Sequence, residues 1–240
     1  MKIALVCIAK NEDNYIEEWL DYYTKLGVDD IFVYQNDWRT NVERENLHKF
    51  VLDGINKQRE AYNSFISDYK NQYDWVLFYD IDEFLVLKKH NNIKEFISDY
   101  SEHNGIGVNW VLFGGNNQTY VPGGETSLLK RFTMRQKSIN QHIKSIVKLS
   151  NNFTMDIHSP SLPLVDTNHN IFWGPFNSDG DDNVAQINHY WCKTREEYVE
   201  KMNRGRADAA DPIHNNKPEY YDAYDINEIE DTIARDFLYV

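Results

Sequence analysis

Residues 75–84, Trp-Val-Leu-Phe-Tyr-Asp-Ile-Asp-Glu-Phe, constrain the fold more than any other stretch of the chain. A near-continuous apolar and aromatic run without polar alternation suits a strand covered on both faces, as in largely parallel sheets flanked by helices. It ends in Asp80, Asp82 and Glu83, at the C-terminal strand edge where open α/β sheets bind ligands. On an extended strand Asp80 and Asp82 lie on the same side, and like charges that close repel unless they share a cation. Hard carboxylate oxygens favour Mg²⁺ or Mn²⁺ over zinc. A bare Asp-x-Asp can also do no more than end a strand. The apolar flanks strengthen the cation reading, because unpaired charge embedded there is costly. Glu83 points opposite to its neighbours and reads as a supporting carboxylate.

A chain of 240 residues fits a single α/β domain with a substantial core. The net charge of −13 argues against a general nucleic-acid binder, so an anionic substrate needs a local device such as a metal and a few basic side chains. Cys7 and Cys192 are far apart and imply no disulfide framework, which favours a reducing compartment, the cytoplasm. The apolar run Ile3 to Ala9 is too short for a signal sequence, and no stretch approaches the roughly 20 apolar residues of a membrane span.

Lys2 to Ala9 reads as a buried first strand, followed by a helix over 15–26 with Asp13 or Asn14 as N-cap and Gly27 as C-cap. Ile31 to Tyr34 is a second strand. A helix over 41–48, a strand over 50–52 and a helix over 58–69 precede the Asp80 strand, and this alternation implies a doubly wound sheet. Next come a helix over 93–100, a strand over 105–113 carrying Trp110, and strands over 145–149, 153–158 and 184–191. Thr194 and Glu197 have capping-box spacing for a helix reaching about Asn203 and stopped by Gly205. Residues 160–182 read as a long loop, and 226–237 as a final helix.

Taken in order, Ala9-Lys10-Asn11-Glu12, Glu18-Trp19-Leu20, Asp74-Trp75 through Phe84, Trp110 with Phe113-Gly114, Lys144 to Val147, and His189 to Lys193 form a series. The series resembles the family 92 glycosyltransferases and their family 2-like bacterial relatives over about the first 205 residues. Gln35 stands where that family usually has Asp, and Gly114-Gly115 where it usually has Gly-Ser. The resemblance implies a GT-A fold with a mixed, mainly parallel sheet. Residues 1–205 would form the transferase domain, with a nucleotide-sugar half over 1–113 and an acceptor half over 114–205, and 206–240 a tail.

It further implies a UDP-sugar donor, UDP-galactose being the first to consider, and Mn²⁺ or Mg²⁺ bound through Asp80 and Asp82. Asp82 is the direct ligand; Asp80 could instead contact ribose or a metal-bound water. His189 is the best third ligand, with His158 as competitor. Lys10, Asn11 and Glu12 are placed for nucleoside and ribose contacts, unless they are only a helix-entry turn, and Gln58 for the base. Lys144, Lys193, Arg204 and Arg206 are candidates for the diphosphate or plain surface cations. Trp110 and Phe113 offer an acceptor platform or are core. Glu197, Asp182 and Asp208 all qualify by chemistry as the base of an inverting transfer. The acceptor expected is a glycan or lipid-linked glycan of surface polysaccharide or lipo-oligosaccharide, with at most peripheral membrane contact. The rivals are a non-catalytic sugar-nucleotide or glycan-binding module and a sugar-1-phosphate nucleotidyltransferase. The latter wants a Gly-rich phosphate loop where Lys10-Asn11-Glu12 stands.

Overall fold

Ile3–Ala9 is buried at every position and forms β1. In the computed structural model, which describes residues 1–204 and 220–240, β1 has parallel neighbours on both sides. One is β2 (Asp30–Gln35), reached through α1 (Ile16–Leu26), whose buried Ile16, Trp19, Leu20, Tyr23 and Leu26 recur at the spacing of one helix face. Gly27 ends α1 at φ 99°, a left-handed conformation that a side chain would strain. Tyr15 takes the N-cap position in place of Asp13 or Asn14, because Asp13 accepts instead from Trp38 Nε1 at 2.7 Å.

Leu47–Val51 is β3, parallel to β2, and no helix occupies 41–48. His48 is held in β3 by stacking on Phe32 and bonding to Asp30 at 3.0 Å, so cross-strand contacts override a weak helical pattern. α2 (Gln58–Tyr69) has the expected bounds and leads to β4 (Trp75–Phe78), the other neighbour of β1. The run 75–84 is then broken. The Glu83 N–H closes a turn on the Asp80 carbonyl at 3.0 Å, and Glu83–Leu87 is a separate strand, β5. Asp80 and Asp82 therefore belong to a turn, and the same-side argument for an extended strand does not apply to them.

α3 (Ile93–Ser98) and β6 (Gly105–Leu112) follow as expected, then α4 (Leu128–Arg131) and the short β7 (Met134–Arg135). β8 (Ile143–Lys148) lies antiparallel between β4 and β6. The expected loop over 160–182 carries two short strands, β9 (Leu164–Val165) and β10 (Ile171–Phe172), while the strand over 153–158 reduces to one bridge, Met155 to Pro160. β11 (Ala185–His189) is parallel to β6 and antiparallel to β5. α5 (Arg195–Arg204) opens on the expected capping box: Glu197 N–H donates to Thr194 Oγ1 and Thr194 N–H to Glu197 Oε2. Gly205, Arg206 and Asp208 lie outside the described residues. In place of one final helix come α6 (Tyr221–Tyr224), β12 (Ile229–Glu230) and α7 (Ile233–Tyr239), and α7 packs on α1 and β5.

Among the described residues ten strands make one mixed sheet, with β1, β2, β3 and β4 parallel and β6 parallel to both β9 and β11. This is the expected single α/β architecture. Alternate residues of β1 serve two apolar layers: Ile3, Leu5 and Cys7 face α1, while Ala4, Val6 and Ile8 face α2. Since β4 and β6 are both antiparallel to β8, they run the same way, and β11 with them. The C-terminal ends of β1, β2, β4, β6 and β11 consequently share one edge.

Candidate active site

That edge gathers charge. Asp80 has both oxygens engaged: Lys144 Nζ donates to one at 2.7 Å, while Gln58 Nε2 donates to the other at 3.1 Å and the Tyr62 hydroxyl at 3.4 Å. β8 delivers Lys144 there, two residues beyond the rung pairing Leu77 with Ile146. Its ammonium is unexposed and also lies 3.4 Å from the buried Glu83 carboxylate. Burial opposes the lysine's charge, but Asp80 and Glu83 outweigh it and raise its pKa well above the usual value. Burial raises the pKa of Glu83, with Lys144 opposing, and its Oε2 accepts the Asp80 N–H at 2.9 Å. Glu83 thus braces the turn, and Gln58 and Lys144, expected at the donor, hold Asp80.

Asp82 faces β11 and α5. The Tyr190 N–H bonds to the Asp82 carbonyl at 2.9 Å, which seats the carboxylate 3.7 Å from His189 Nε2. Lys201 Nζ donates to the other oxygen at 2.8 Å, and Lys193 Nζ lies 3.9 Å from it. Burial works against the charge of Asp82, yet Lys201, His189 and Lys193 prevail and place its pKa far below the carboxylate range. His189 is lowered to about 3, chiefly by burial, with Asp82 opposing and the lysines reinforcing. The imidazole is therefore neutral, and its Nδ1 has no hydrogen-bond partner.

A neutral imidazole beside an ionised carboxylate is a workable ligand pair for a divalent ion. Asp80 is turned away from this pair, towards Lys144, Gln58 and Tyr62. Among the described residues no three His, Cys, Asp or Glu side chains converge as a ligand group. Asp82 and His189 fit such an ion as two ligands, leaving further positions to substrate oxygens. His158 sits against Trp110 with its pKa lowered to about 2 by burial, followed by the charge of Lys144.

Glu197, Lys201 and Arg204 stand at i, i+4 and i+7 on one face of α5, which closes over the end of β1. Arg204 donates to the Lys10 carbonyl, to the Asn11 carbonyl at 2.9 Å, and to the Glu12 carboxylate. Lys193, at φ 56°, turns under the helix with its ammonium 4.3 Å from the Tyr15 ring centre. Burial lowers its pKa, with Glu12 and Asp82 opposing. A cavity of about 250 Å³ is lined by Lys193, Lys201 and Arg204, by Asn11, Asn14 and Tyr15, and by the acidic residues Glu197 and Glu200.

Other anticipated residues take different places. Lys10 pairs with Asp37 at 3.1 Å. Glu197 receives Arg131 on both oxygens, at 2.8 and 2.6 Å, together with Tyr15 and Thr194. Burial opposes its charge, but these donors, Arg131 foremost, lower its pKa to about 2, so the carboxylate holds structure and has no oxygen free to take a proton. Asp182 is bound by Lys88 at 2.9 Å and Arg135 at 3.1 Å, the length of β11 away from His189. Neither is placed as the base. Phe113, three residues from Trp110 and so on the opposite face, is buried against Tyr190 and offers no platform. Trp110 remains beside the site, 4.3 Å from His189. Lys201 was not anticipated, and its signal was the helical spacing from Glu197.

The sequence model of Glycosyltransferase family 92 matches residues 4–237. The chain belongs to this family. Family 92 proteins similar to it include At1g27200 of Arabidopsis thaliana, 24% identical over 222 residues, covering 81% of this chain and 36% of the relative. Os08g0121900 of Oryza sativa subsp. japonica is 24% identical over 210 residues, covering 82% and 34%. The chain thus spans about a third of the length of these relatives. Among solved structures, TarS 1-349 of S. aureus aligns with a TM-score of 0.38 and 16% identity, over 62% of this chain and 48% of that one. HddC from Yersinia pseudotuberculosis aligns at 0.38 and 8%, over 61% and 77%.

Proposed function

We propose that this family 92 chain transfers a glycosyl unit, with inversion, from a UDP-sugar, UDP-galactose first among the candidates, to a hydroxyl of a glycan acceptor. The observation that carries the reading is the convergence of Lys193, Lys201 and Arg204 on one cavity at the shared strand edge, with Asp82 paired to Lys201 beside it. Transfer breaks the bond between the anomeric carbon and the diphosphate oxygen as the acceptor hydroxyl oxygen bonds to that carbon and its proton passes to solvent, and the departing diphosphate gains charge. Lys193, Lys201 and Arg204 are the groups that meet this charge, exchanging their present carboxylate and carbonyl partners for phosphate oxygens. Asn11, Asn14 and Tyr15 supply polar contacts to the nucleoside side. Asp82 and His189 would hold Mn²⁺ or Mg²⁺, which supplies Lewis-acid stabilisation of the leaving group when bound. Asp80, Lys144, Gln58 and Glu83 keep the turn rigid.

The acceptor is a surface polysaccharide or a lipo-oligosaccharide, reached from the cytoplasm with at most peripheral membrane contact. Among the described residues no helix is long and apolar enough to cross a membrane. The net charge of −13 disfavours adhesion to anionic lipid. UDP release measured over a panel of UDP-sugars with Mn²⁺ tests the proposal. Asp82→Asn is expected to lower turnover by about 100-fold or more while the chain stays folded. A wild-type chain that neither binds nor turns over any donor rules the reading out.

A further inference from the structure

The carboxylates around the Asp82 turn are engaged by cations. Asp80 and Glu83 lie against Lys144, Asp82 against Lys201, Glu197 against Arg131 and Glu12 against Arg204. Glu200 is exposed, but it lines the same cavity as Lys201 and Arg204, on the side of the leaving diphosphate. His142 stands elsewhere on the shared edge, half-buried in the position before β8, and its carbonyl accepts the Trp110 N–H at 2.9 Å. The His142 backbone N–H donates to Asn140 Oδ1 at 3.0 Å, and His142 Nδ1 lies 2.8 Å from the same oxygen. An atom that accepts a backbone N–H is the oxygen of its amide, so Nδ1 must also donate to it and carries the ring proton. Nε2 keeps the lone pair. It has no hydrogen-bond partner and is open, whereas Nδ1 of His158 and Nδ1 of His189 are enclosed. Stacking on Trp110 at 4.9 Å and 19° holds the ring. Burial lowers its pKa below the ordinary histidine value, and His158, facing it at 5.7 Å, is itself neutral.

We propose that His142 is the general base of the transfer, its Nε2 taking the proton of the attacking hydroxyl. The inference rests on the transferase reading above and adds the catalytic group that Glu197 and Asp182 do not supply. As the hydroxyl oxygen bonds to the anomeric carbon, the electron pair of the carbon–oxygen bond leaves with the diphosphate. The proton moves to Nε2, and the imidazolium then gives it to solvent, which restores the base. Inversion requires attack on the face opposite the leaving group, so base and diphosphate lie on opposite sides of the sugar. Two partial bonds and one hydrogen bond span about 7 Å from leaving oxygen to base. Contacts run in order from Lys201 through Asp82, His189 and Trp110 to His142, so the imidazole and the cations stand at opposite ends of the site. Asn140 is the third group that orients the base.

Hydrolysis of the donor is the test, since water then supplies the attacking hydroxyl and needs the same proton transfer. With the UDP-sugar turned over fastest in the panel above and Mn²⁺, UDP release should fall about 100-fold in His142→Gln, while UDP affinity measured by calorimetry stays unchanged. In His142→Gly, added imidazole should restore part of the rate, and pyrazole, of the same shape but far weaker as a base, should not. Nitrogen NMR of the full chain labelled at histidine reads the tautomer without turnover, and His142 should carry its proton on Nδ1. An undiminished rate in His142→Gln, equal rescue by both azoles, or a proton on Nε2 would overturn the proposal. Loss of UDP affinity in step with the rate would show a structural role and overturn it as well. Absent UDP binding by the native chain counts against the transferase, whereas UDP binding with turnover that survives His142→Gln counts against the base alone.

Discussion

Lys201 and Asp82 show how much one charge pair can decide. The ammonium holds one Asp82 oxygen at 2.8 Å, on the carboxylate whose other oxygen faces His189. A cation already beside a carboxylate reduces its attraction for a second one. Lys201→Ala should therefore bind Mn²⁺ several-fold more tightly, as read by electron paramagnetic resonance of the free ion. The same variant loses a contact to the donor diphosphate, so its KM for the donor should rise about tenfold. Weaker Mn²⁺ binding in Lys201→Ala would show that the ion does not use Asp82.

At the scale of elements, α5 is fastened to both halves of the chain by Glu197. Its carboxylate caps its own helix through Thr194, accepts from Tyr15 before α1 at 2.6 Å, and accepts from Nη1 and Nη2 of Arg131 in α4. Glu197→Gln leaves Arg131 buried without its anion and should cost about 3 kcal/mol. The double variant Glu197→Gln/Arg131→Met should lose less than Glu197→Gln alone, as measured by urea unfolding. A second fastening lies at Gly115. A Cβ there would come within 2.5 Å of the Lys193 carbonyl and 2.3 Å of the Tyr221 hydroxyl. Gly115→Ala must displace backbone, so it should destabilise by about 2 kcal/mol and weaken UDP binding through the shift of Lys193. Wild-type stability and UDP affinity in that variant would show that the contact yields freely.

For the molecule as a whole, the pH dependence of stability follows from the same buried carboxylate. Glu197 is lowered from 4.5 to about 2 in the folded chain, with burial opposing and Arg131 leading the lowering. A depressed carboxylate contributes stability that is complete above its unfolded value and lost as pH falls through its folded value. The contribution should therefore disappear between about pH 4.5 and pH 2 and amount to about 3 kcal/mol. Urea midpoints across that interval should fall more steeply for the native chain than for Glu197→Gln. Equal slopes would mean that Glu197 is not ionised by its neighbours.

Elements with local signals could be read from the residues alone. β1 is a run of apolar residues, α1 ends at a glycine in the left-handed region, α2 follows its periodicity, and α5 opens on a Thr-x-x-Glu box. The strand edge at Asp80 and Asp82 was legible for the same reason, since an apolar run that meets carboxylates must reach the surface or a partner. Which of the two it meets depends on how the chain packs. The turn at 80–83 looks continuous with its flanks in sequence, and only the antiparallel arrival of β11 beside 83–87 shows the chain reversing. The partners of the acids are equally remote: Lys144 reaches Asp80 across 64 positions and Lys201 reaches Asp82 across 119. Composition and spacing register a residue's own preferences. The energy of a buried charge is set by whatever side chain the fold brings within a few ångströms, and that is why Glu197 and Asp182 look like bases in the sequence and are bound by arginines in the fold.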